Sequence, residues 1–430
     1  MHPFRSLTFF CLAFVLAALS VQAFANSTVG LCAGPGIHYL TIQQAVNASK
    51  AGGTVDVCPG TYAEQVTINK SLTLIGVGPT ASTVVVPVGG LVVNATDIFS
   101  FPTAAQIFAE AGTITVSHMT VDGANNGLSG GSVDPVGIYY QNASGTITDN
   151  AVRNTIMDTA EVGYGLGLGI NVEADIGYPL VTITNNSVRN YDKNGITVSG
   201  QSVAGEGPKA TISGNTVIGI GATALIAQNG IQIGYGASAT VTSNYVVDDI
   251  YTGGYWGSSG ILIYGSAGVT VTSNTVESTQ IGIVPVTESA SLLGNGTTIK
   301  SNHIGGTQTF DAIDVCSDGN TVQGNVIYGS SQDGIHLDDS CPPSTGSGNL
   351  VTSNTVNEAC AGVLEGPLTT TNTVTVSGAG ANTFLNVDNT VLAGDTCAPI
   401  LGNALSDLKK MSDLSGTPVK HLRPSPAKRN

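Results

Sequence analysis

Residues 180–198 read LVTITNNSVRNYDKNGITV and residues 209–233 read KATISGNTVIGIGATALIAQNGIQI; the two stretches share one grammar. A short alternating run ends in an asparagine, Asn186 or Asn215. A second β-rich run follows, and a third opens on Gly-Ile at Gly195 or Gly230. Working outward, the first half of the unit recurs as TITDNAV, VTSNYV, VTSNTV, IKSNHI, VQGNVI and VTSNTV, around Asn150, Asn244, Asn274, Asn302, Asn325 and Asn354. Successive asparagines are 36, 29, 29, 30, 28, 23 and 29 residues apart. The second half recurs at Gly137, Gly169, Gly260, Gly282, Asp311, Gly334 and Gly362.

Alternation in these runs sets Ile196 and Val198, or Ile231 and Ile233, on one face and Thr197 or Gln232 on the other. A coil of two or three short strands with no helix cannot bury its apolar face alone, so successive coils must stack. The irregular coil length with an in-phase asparagine argues against the near-constant blade of a propeller. The reading is all-β, a right-handed parallel β-helix, with the repeated asparagine as a turn ladder bonding to its neighbours above and below. Before the regular coils, residues 38–78 read HYLTIQQAVNASKAGGTVDVCPGTYAEQVTINKSLTLIGVG. Ile42, Ala45, Val46 and Ala48 fit a short amphipathic helix, about residues 38–50, ended by Gly52-Gly53. A helix there would cap the open end of the solenoid, where strand edges and core would otherwise be exposed.

This opening resembles that of the pectin-lyase-like superfamily, which begins with a T-I-Q-x-A-V helix, a G-T-Y-x-E-x-V turn and an L-x-L-I-G strand. Here these are Thr41 to Val46, Gly60 to Val66 and Leu72 to Gly76. The resemblance covers about residues 36–395 and implies the β-helix fold. It implies no single activity, because lyases, hydrolases, esterases, epimerases and non-enzymatic surface proteins share these scaffold motifs. The polygalacturonase strings N-T-D, G-D-D, G-H-G and R-I-K are absent, as are D-P-H-E of mannuronan epimerases, G-Y-Q-D-T-L of pectin methylesterases and W-x-D-H of pectate lyases.

Composition fits a solenoid built of small residues: 56 glycines in 430 residues, 6% aromatic and 10% charged. So few charges argue against a nucleic-acid binder or a coiled coil. Residues 1–25 read as a secretory signal, with Arg5, an apolar run and an Ala23-Phe24-Ala25 cleavage site. A secreted or extracytoplasmic chain is therefore expected, with no membrane span after the signal. One β-helix domain is expected over 26–403, followed by a basic, disordered tail over 404–430. The domain carries 7 basic against 27 acidic residues, a surface that repels nucleic acid. Six cysteines remain after the signal, and their clustering suggests the disulfides Cys32–Cys58, Cys316–Cys341 and Cys360–Cys397.

Three patches carry candidate chemistry. Asp311 and Asp314 lie one short coil, 22 residues, before Asp333 and His336, with Asp338 alongside. In register, Asp311 stacks near Asp333 and Asp314 near His336. Crowded carboxylates raise one another's pKa or bind a hard cation, so this patch offers an acid/base pair for catalysis, or a calcium site on Asp311, Asp314 and Asp333. Arg153 and Arg189 each follow a ladder asparagine by three residues, with Lys193 and Lys209 nearby, and offer the base that β-elimination from a uronate needs. Tyr251, Tyr255 and Trp256 lie in one long turn between Tyr235 and Tyr264, and aromatic faces suit sugar C–H surfaces. Two readings stay open. One is an exported protein that binds a polysaccharide, pectin-like or another uronic-acid glycan, and cleaves it as a lyase or hydrolase. The other is a non-enzymatic structural or adhesion protein of the cell surface or the secreted fraction.

Overall fold

A computed structural model describes residues 26–129, 131–157, 167–201, 207–253, 257–306 and 310–394. The expected signal and basic tail, and Tyr255, Trp256 and Cys397, lie outside the described residues. The chain is a right-handed parallel β-helix whose regular coils each lay down three short strands. The first row, with Leu180–Thr184, Lys209–Ser213 and Ser238–Thr242, belongs to a 14-stranded sheet. The second row (Ser187–Tyr191, Thr216–Thr223, Tyr245–Tyr251) and the third row (Asn194–Ser199, Asn229–Gly234, Ser259–Tyr264) bend into each other within a 23-stranded sheet. Strands of successive coils pair in parallel, so a column of side chains repeats about every 4.8 Å. Ile183, Ile212, Val241 and Val271 form one inward column and Ile196, Ile231, Ile261 and Ile283 another, all fully buried.

The asparagine ladder forms as its spacing predicts. Asn215 is typical: its Oδ1 accepts from the backbone N and the Nδ2 of Asn186, and its Nδ2 donates to Asn244 Oδ1 and to the carbonyl of Ile183. The chain turns sharply into each rung. The preceding residue (Asp149, Asn185, Gly214, Ser243, Ser273, Ser301, Gly324 or Ser353) is left-handed, with φ between 55° and 66°, which is why only Gly and short polar residues precede these asparagines. The ladder extends one rung further than read from the repeat, to Asn382. A second, shorter ladder runs through Asn320, Asn349 and Asn372.

The recurring Gly-Ile has a different cause from the turn glycines. A Cβ on Gly195 would lie 2.3 Å from Val217 Cγ1 and 2.8 Å from the carbonyl oxygen of Gly230. Close approach of backbone and second-row valine, not a left-handed φ, fixes glycine at this bend.

The helix Ile42–Ala48 caps the N-terminal end. Thr41 accepts from Gln44 N, and the Glu64 carboxylate accepts from Ile42 N and Gln43 N at 2.7 and 3.0 Å. Gln43 in turn bonds both the N–H and the carbonyl of Thr67. The T-I-Q and G-T-Y-x-E motifs are thus two halves of one cap, without chemistry of their own. Cys32–Cys58 and Cys316–Cys341 are disulfides, and Cys360 is disulfide-bonded as well. Among the described residues no helix is long and apolar enough to cross a membrane.

Candidate functional site

On the third row the inward isoleucines alternate with outward positions that form two columns along the helix axis. One runs Tyr139, Asn171, Thr197, Gln232, Leu262 and Val284, then Asp314 and His336. The acidic patch is therefore a local change of chemistry on a continuous face. Asp314 lies in register with His336, as the 22-residue spacing predicts. Asp311 Oδ1 accepts from Asp333 N at 3.0 Å, and its Oδ2 lies 3.3 Å from His336 Nδ1. Asp314 Oδ1 approaches the same Nδ1 at 4.0 Å, is enclosed, and has no hydrogen-bond partner. Asp338 is turned toward its own loop, where it accepts from the N–H and hydroxyl of Ser340.

Exposure divides the cluster in two. Asp311 and Asp333 are buried, whereas 17% of the Asp314 side chain and 18% of that of His336 reach solvent. Burial and the charge of Asp338 push Asp314 well above the usual carboxylate range. Burial and the charge of Asp311 push Asp333 up to about 8. For His336 burial opposes the charged ring, but the hydrogen bond to Asp311 and the carboxylates around it prevail and hold its pKa well above that of a free histidine. Asp314, Asp333 and His336 feel one another's charge and titrate as a unit.

The cationic patch does not assemble. Arg153 and Arg189 do share a column, but on the second row, around the bend from the acidic cluster. Arg153 is bound to Asp122 at 2.7 Å, with Asn154 on the other carboxylate oxygen. Lys209 lies over the ring of Tyr178 at the first sheet, 5.6 Å from its centroid. Lys193 is buried and donates to the carbonyl of Ala227. The described aromatics of the third patch are engaged in packing: Tyr264 is 3% and Tyr251 7% exposed. Tyr235 stands between Phe99 and Tyr264, with ring centroids 4.9 and 5.4 Å away.

Asp249, two residues before Tyr251, points inward and is fully buried, accepting from Tyr191 OH at 2.6 Å. Burial lifts its pKa well above the usual range and lowers that of nearby Lys193 to about 7. Its inward turn follows a register shift between Ile218 and Gly221 on the neighbouring strand, which no periodicity in the sequence announces. Two surface concavities lie away from the acidic cluster, one at Asp56, Gly76 and His118 and one along Thr182, Lys209, Thr211 and Thr240 of the first sheet. Neither brings together an acid and a base comparable to the Asp314–His336 pair.

A family profile described as "right handed beta helix region" matches residues 168–389, just over half of the chain. The chain belongs to this right-handed β-helix family. No curated protein matches it in sequence. Among solved structures it is similar to the A-module of an Azotobacter vinelandii mannuronan C-5 epimerase, at 15% identity over 82% of this chain and 92% of that one, with a TM-score of 0.48. It is also similar to alginate lyase AlyF-OU02 in complex with G6, at 13% identity over 79% and 73% of the two chains, TM-score 0.49. A GH136 lacto-N-biosidase from Eubacterium ramulus is 8% identical over 86% and 67%, TM-score 0.47. With TM-scores below 0.5 these likenesses carry no argument, and any activity of this β-helix has to be argued from its own side chains.

Proposed function

We propose that the protein is an exported β-helix enzyme that binds a polysaccharide along its third row and cleaves it by general acid–base chemistry at Asp314 and His336. The observation that carries this reading is the enclosed, unpartnered Oδ1 of Asp314 facing an imidazole that Asp311 already orients through Nδ1. Cleavage of a glycosidic bond, by hydrolysis or by β-elimination, needs one group that gives a proton and one that takes it. Asp314 and His336 are the pair that solvent, and hence a glycan, can reach. Asp311 and Asp333 form a buried reserve behind them that fixes the ring and shares its proton. The nearest ligand atoms of Asp311, Asp314 and His336 lie within 4.8 Å of one another. That is tighter than the roughly 6.5–9.5 Å an inverting carboxylate pair needs, so Asp311 and Asp314 act as one unit.

The donor set fits calcium poorly. Calcium takes six to eight oxygens, and here an imidazole nitrogen occupies the centre while Asp311 and Asp333 already bond to backbone N–H groups. The proposal therefore routes no step through a cation.

The test is turnover on a panel of neutral and uronic-acid polysaccharides, read as new reducing ends and as unsaturated product. Asp314→Asn and His336→Gln should each lower turnover at least about 100-fold while the melting temperature holds. The binding or adhesion reading is favoured by the Arg153–Asp122 pair and the packed aromatics, which among the described residues leave no cation or open ring beside the cluster. It gains if folded protein yields no product on any glycan of the panel.

A further inference from the structure

Outward side chains of a solenoid normally face water, yet a stretch of the third row does not. Asn171, Glu173, Thr197, Ser199 and Gln232 all point away from the core, as their alternation with Val172, Val198 and Ile231 requires, and none is more than 5% exposed. An arm comprising residues 94–101, which leads into the strand Pro102–Ala109, covers them. Ile98 N donates to Glu173 Oε2 at 3.3 Å, Gln141 Nε2 to the carbonyl of Thr96 at 2.8 Å and Gln201 Nε2 to that of Ile98 at 3.1 Å. Phe99 rests on Tyr235. The arm begins as a short strand paired antiparallel with residues 102–103, and Asp97 shapes its tip by accepting from Phe99 N and Phe101 N.

Beneath this roof the polar groups are incompletely satisfied. Asn171 Oδ1 and Ser199 Oγ are enclosed and have no hydrogen-bond partner, in residues each only 1% exposed. Gln232 accepts from Asn194 Nδ2 through its Oε1, which leaves its Nε2 as a donor toward the roof. Beside it, Gly234 has no side chain: a Cβ there would sit in van der Waals contact with Gln232 Nε2, the Tyr264 carbonyl and Ser199 Oγ at 3.5–3.7 Å, so glycine leaves a methyl-sized gap among them. Burying polar atoms without partners is costly, and such groups are kept where a guest supplies the missing bonds.

We infer that this roofed stretch is a binding site for a residue of a neutral, hydroxyl-rich glycan, entered as the 94–101 arm lifts. An acceptor (Asn171 Oδ1), a group that both gives and takes (Ser199) and a donor (Gln232 Nε2) match sugar hydroxyls, which do both. The Glu173 carboxylate, which already accepts from Tyr139 OH at 2.9 Å, repels a uronate in the same place. Asn171 and Gln232 lie on the same outward column as Asp314, five and three coil steps away, or about 24 and 14 Å at the strand spacing. This inference rests on the proposed function for its direction: a glycan that spans both sites is a neutral oligosaccharide, not a disaccharide and not a polyuronate.

The test is calorimetric binding to full-length Asp314→Asn protein, in which turnover is blocked, with cellohexaose, xylohexaose, mannohexaose and hexagalacturonate as probes. At least one neutral hexamer should bind, and Asn171→Leu should weaken it at least tenfold without lowering the melting temperature, because the Asn171 side chain bonds to nothing in the protein. Should Asn171→Leu not fold, Ser199→Ala provides the same reading. Equal or tighter binding of hexagalacturonate, unchanged affinity in both variants, or no binding of any neutral hexamer by folded protein overturns the inference. Binding is read without cleavage, so an inactive wild-type enzyme that still binds through Asn171 would sink the proposed activity and leave this site standing.

Discussion

Replacing a single rung of the asparagine ladder tests whether the ladder, rather than the apolar columns alone, holds the coils in register. In Asn215→Ala five hydrogen bonds disappear: four buried ones of 2.9–3.0 Å and a longer, part-buried one to the Ser213 carbonyl at 3.3 Å. The losses are unequal. Asn186 Nδ2 keeps its bond to the carbonyl of Ile147, and Asn244 Oδ1 keeps the backbone N–H of residue 215. The backbone N–H of Asn186 has only Asn215 Oδ1 and becomes a buried orphan. An orphan costs about 1–3 kcal/mol, and each remaining bond contributes about 0.5–1.5 kcal/mol net. The sum is roughly 3–9 kcal/mol, a large share of the stability of an ordinary domain. The matched control is Asn357→Ala, which removes an exposed amide pair with Asn386 at 2.8 Å and should cost under about 1 kcal/mol.

A solenoid can lose coils piecemeal, so a denaturation midpoint needs a local companion. Hydrogen exchange supplies it: in Asn215→Ala the Asn186 amide should exchange at least about 30-fold faster, the equivalent of about 2 kcal/mol, while amides of the N-terminal cap hold their rates. The reasoning fails if Asn215→Ala melts like Asn357→Ala and the Asn186 amide stays protected. Stacked isoleucines would then suffice, and the repeated asparagine would be only a turn former.

Gly195→Ala should destabilise by about 1–3 kcal/mol, because the new methyl meets Val217 Cγ1 at 2.3 Å with no left-handed φ involved; pairing it with Val217→Ala should recover much of the loss, seen as a melting temperature that returns toward wild type. Asp333 has its pKa raised from an ordinary carboxylate value to about 8, so its protonated form is favoured in the fold and the stability it lends is lost as pH rises from about 4 through 8. His336, also raised, contributes below the free-histidine value and loses that contribution as pH climbs through its folded pKa. Asp333→Asn, which can keep the acceptor for Ala361 N, should flatten the fall in urea midpoint between pH 4 and 8; an unchanged slope would show that the buried pair does not hold its proton.

What was legible in the sequence was whatever repeats within a coil. The ladder from Asn150 to Asn354, the two halves of the cap and the stacking of Asp311 on Asp333 all follow from spacing, because register converts a sequence interval directly into a neighbour. The second ladder was also legible in principle: Asn320 and Asn349 each stand five residues before a rung of the first. What was hidden depends on elements that leave the coil. Thr197 and Gln232 read as water-facing because strand alternation cannot reveal a roof, and that roof makes contacts 75 and 103 residues along the chain. The inward turn of Asp249 was hidden as well, because it depends on the register shift beside it. Both failures bear on function. The alternation rule breaks where outward polar groups are enclosed, and on this β-helix that happens at Asn171 and Ser199 under the arm and at Asp314 beside His336. On one outward column the polar Asn171, Thr197 and Gln232 under the arm are separated from Asp314 by Leu262 and Val284, which pack with Tyr264 and are themselves buried, so a glycan would meet the two polar stretches and not an apolar face between them. A scaffold that needed only to stack its coils would have no use for either stretch, since replacing Asn171, Ser199 or Asp314 with apolar side chains of like size would improve its burial.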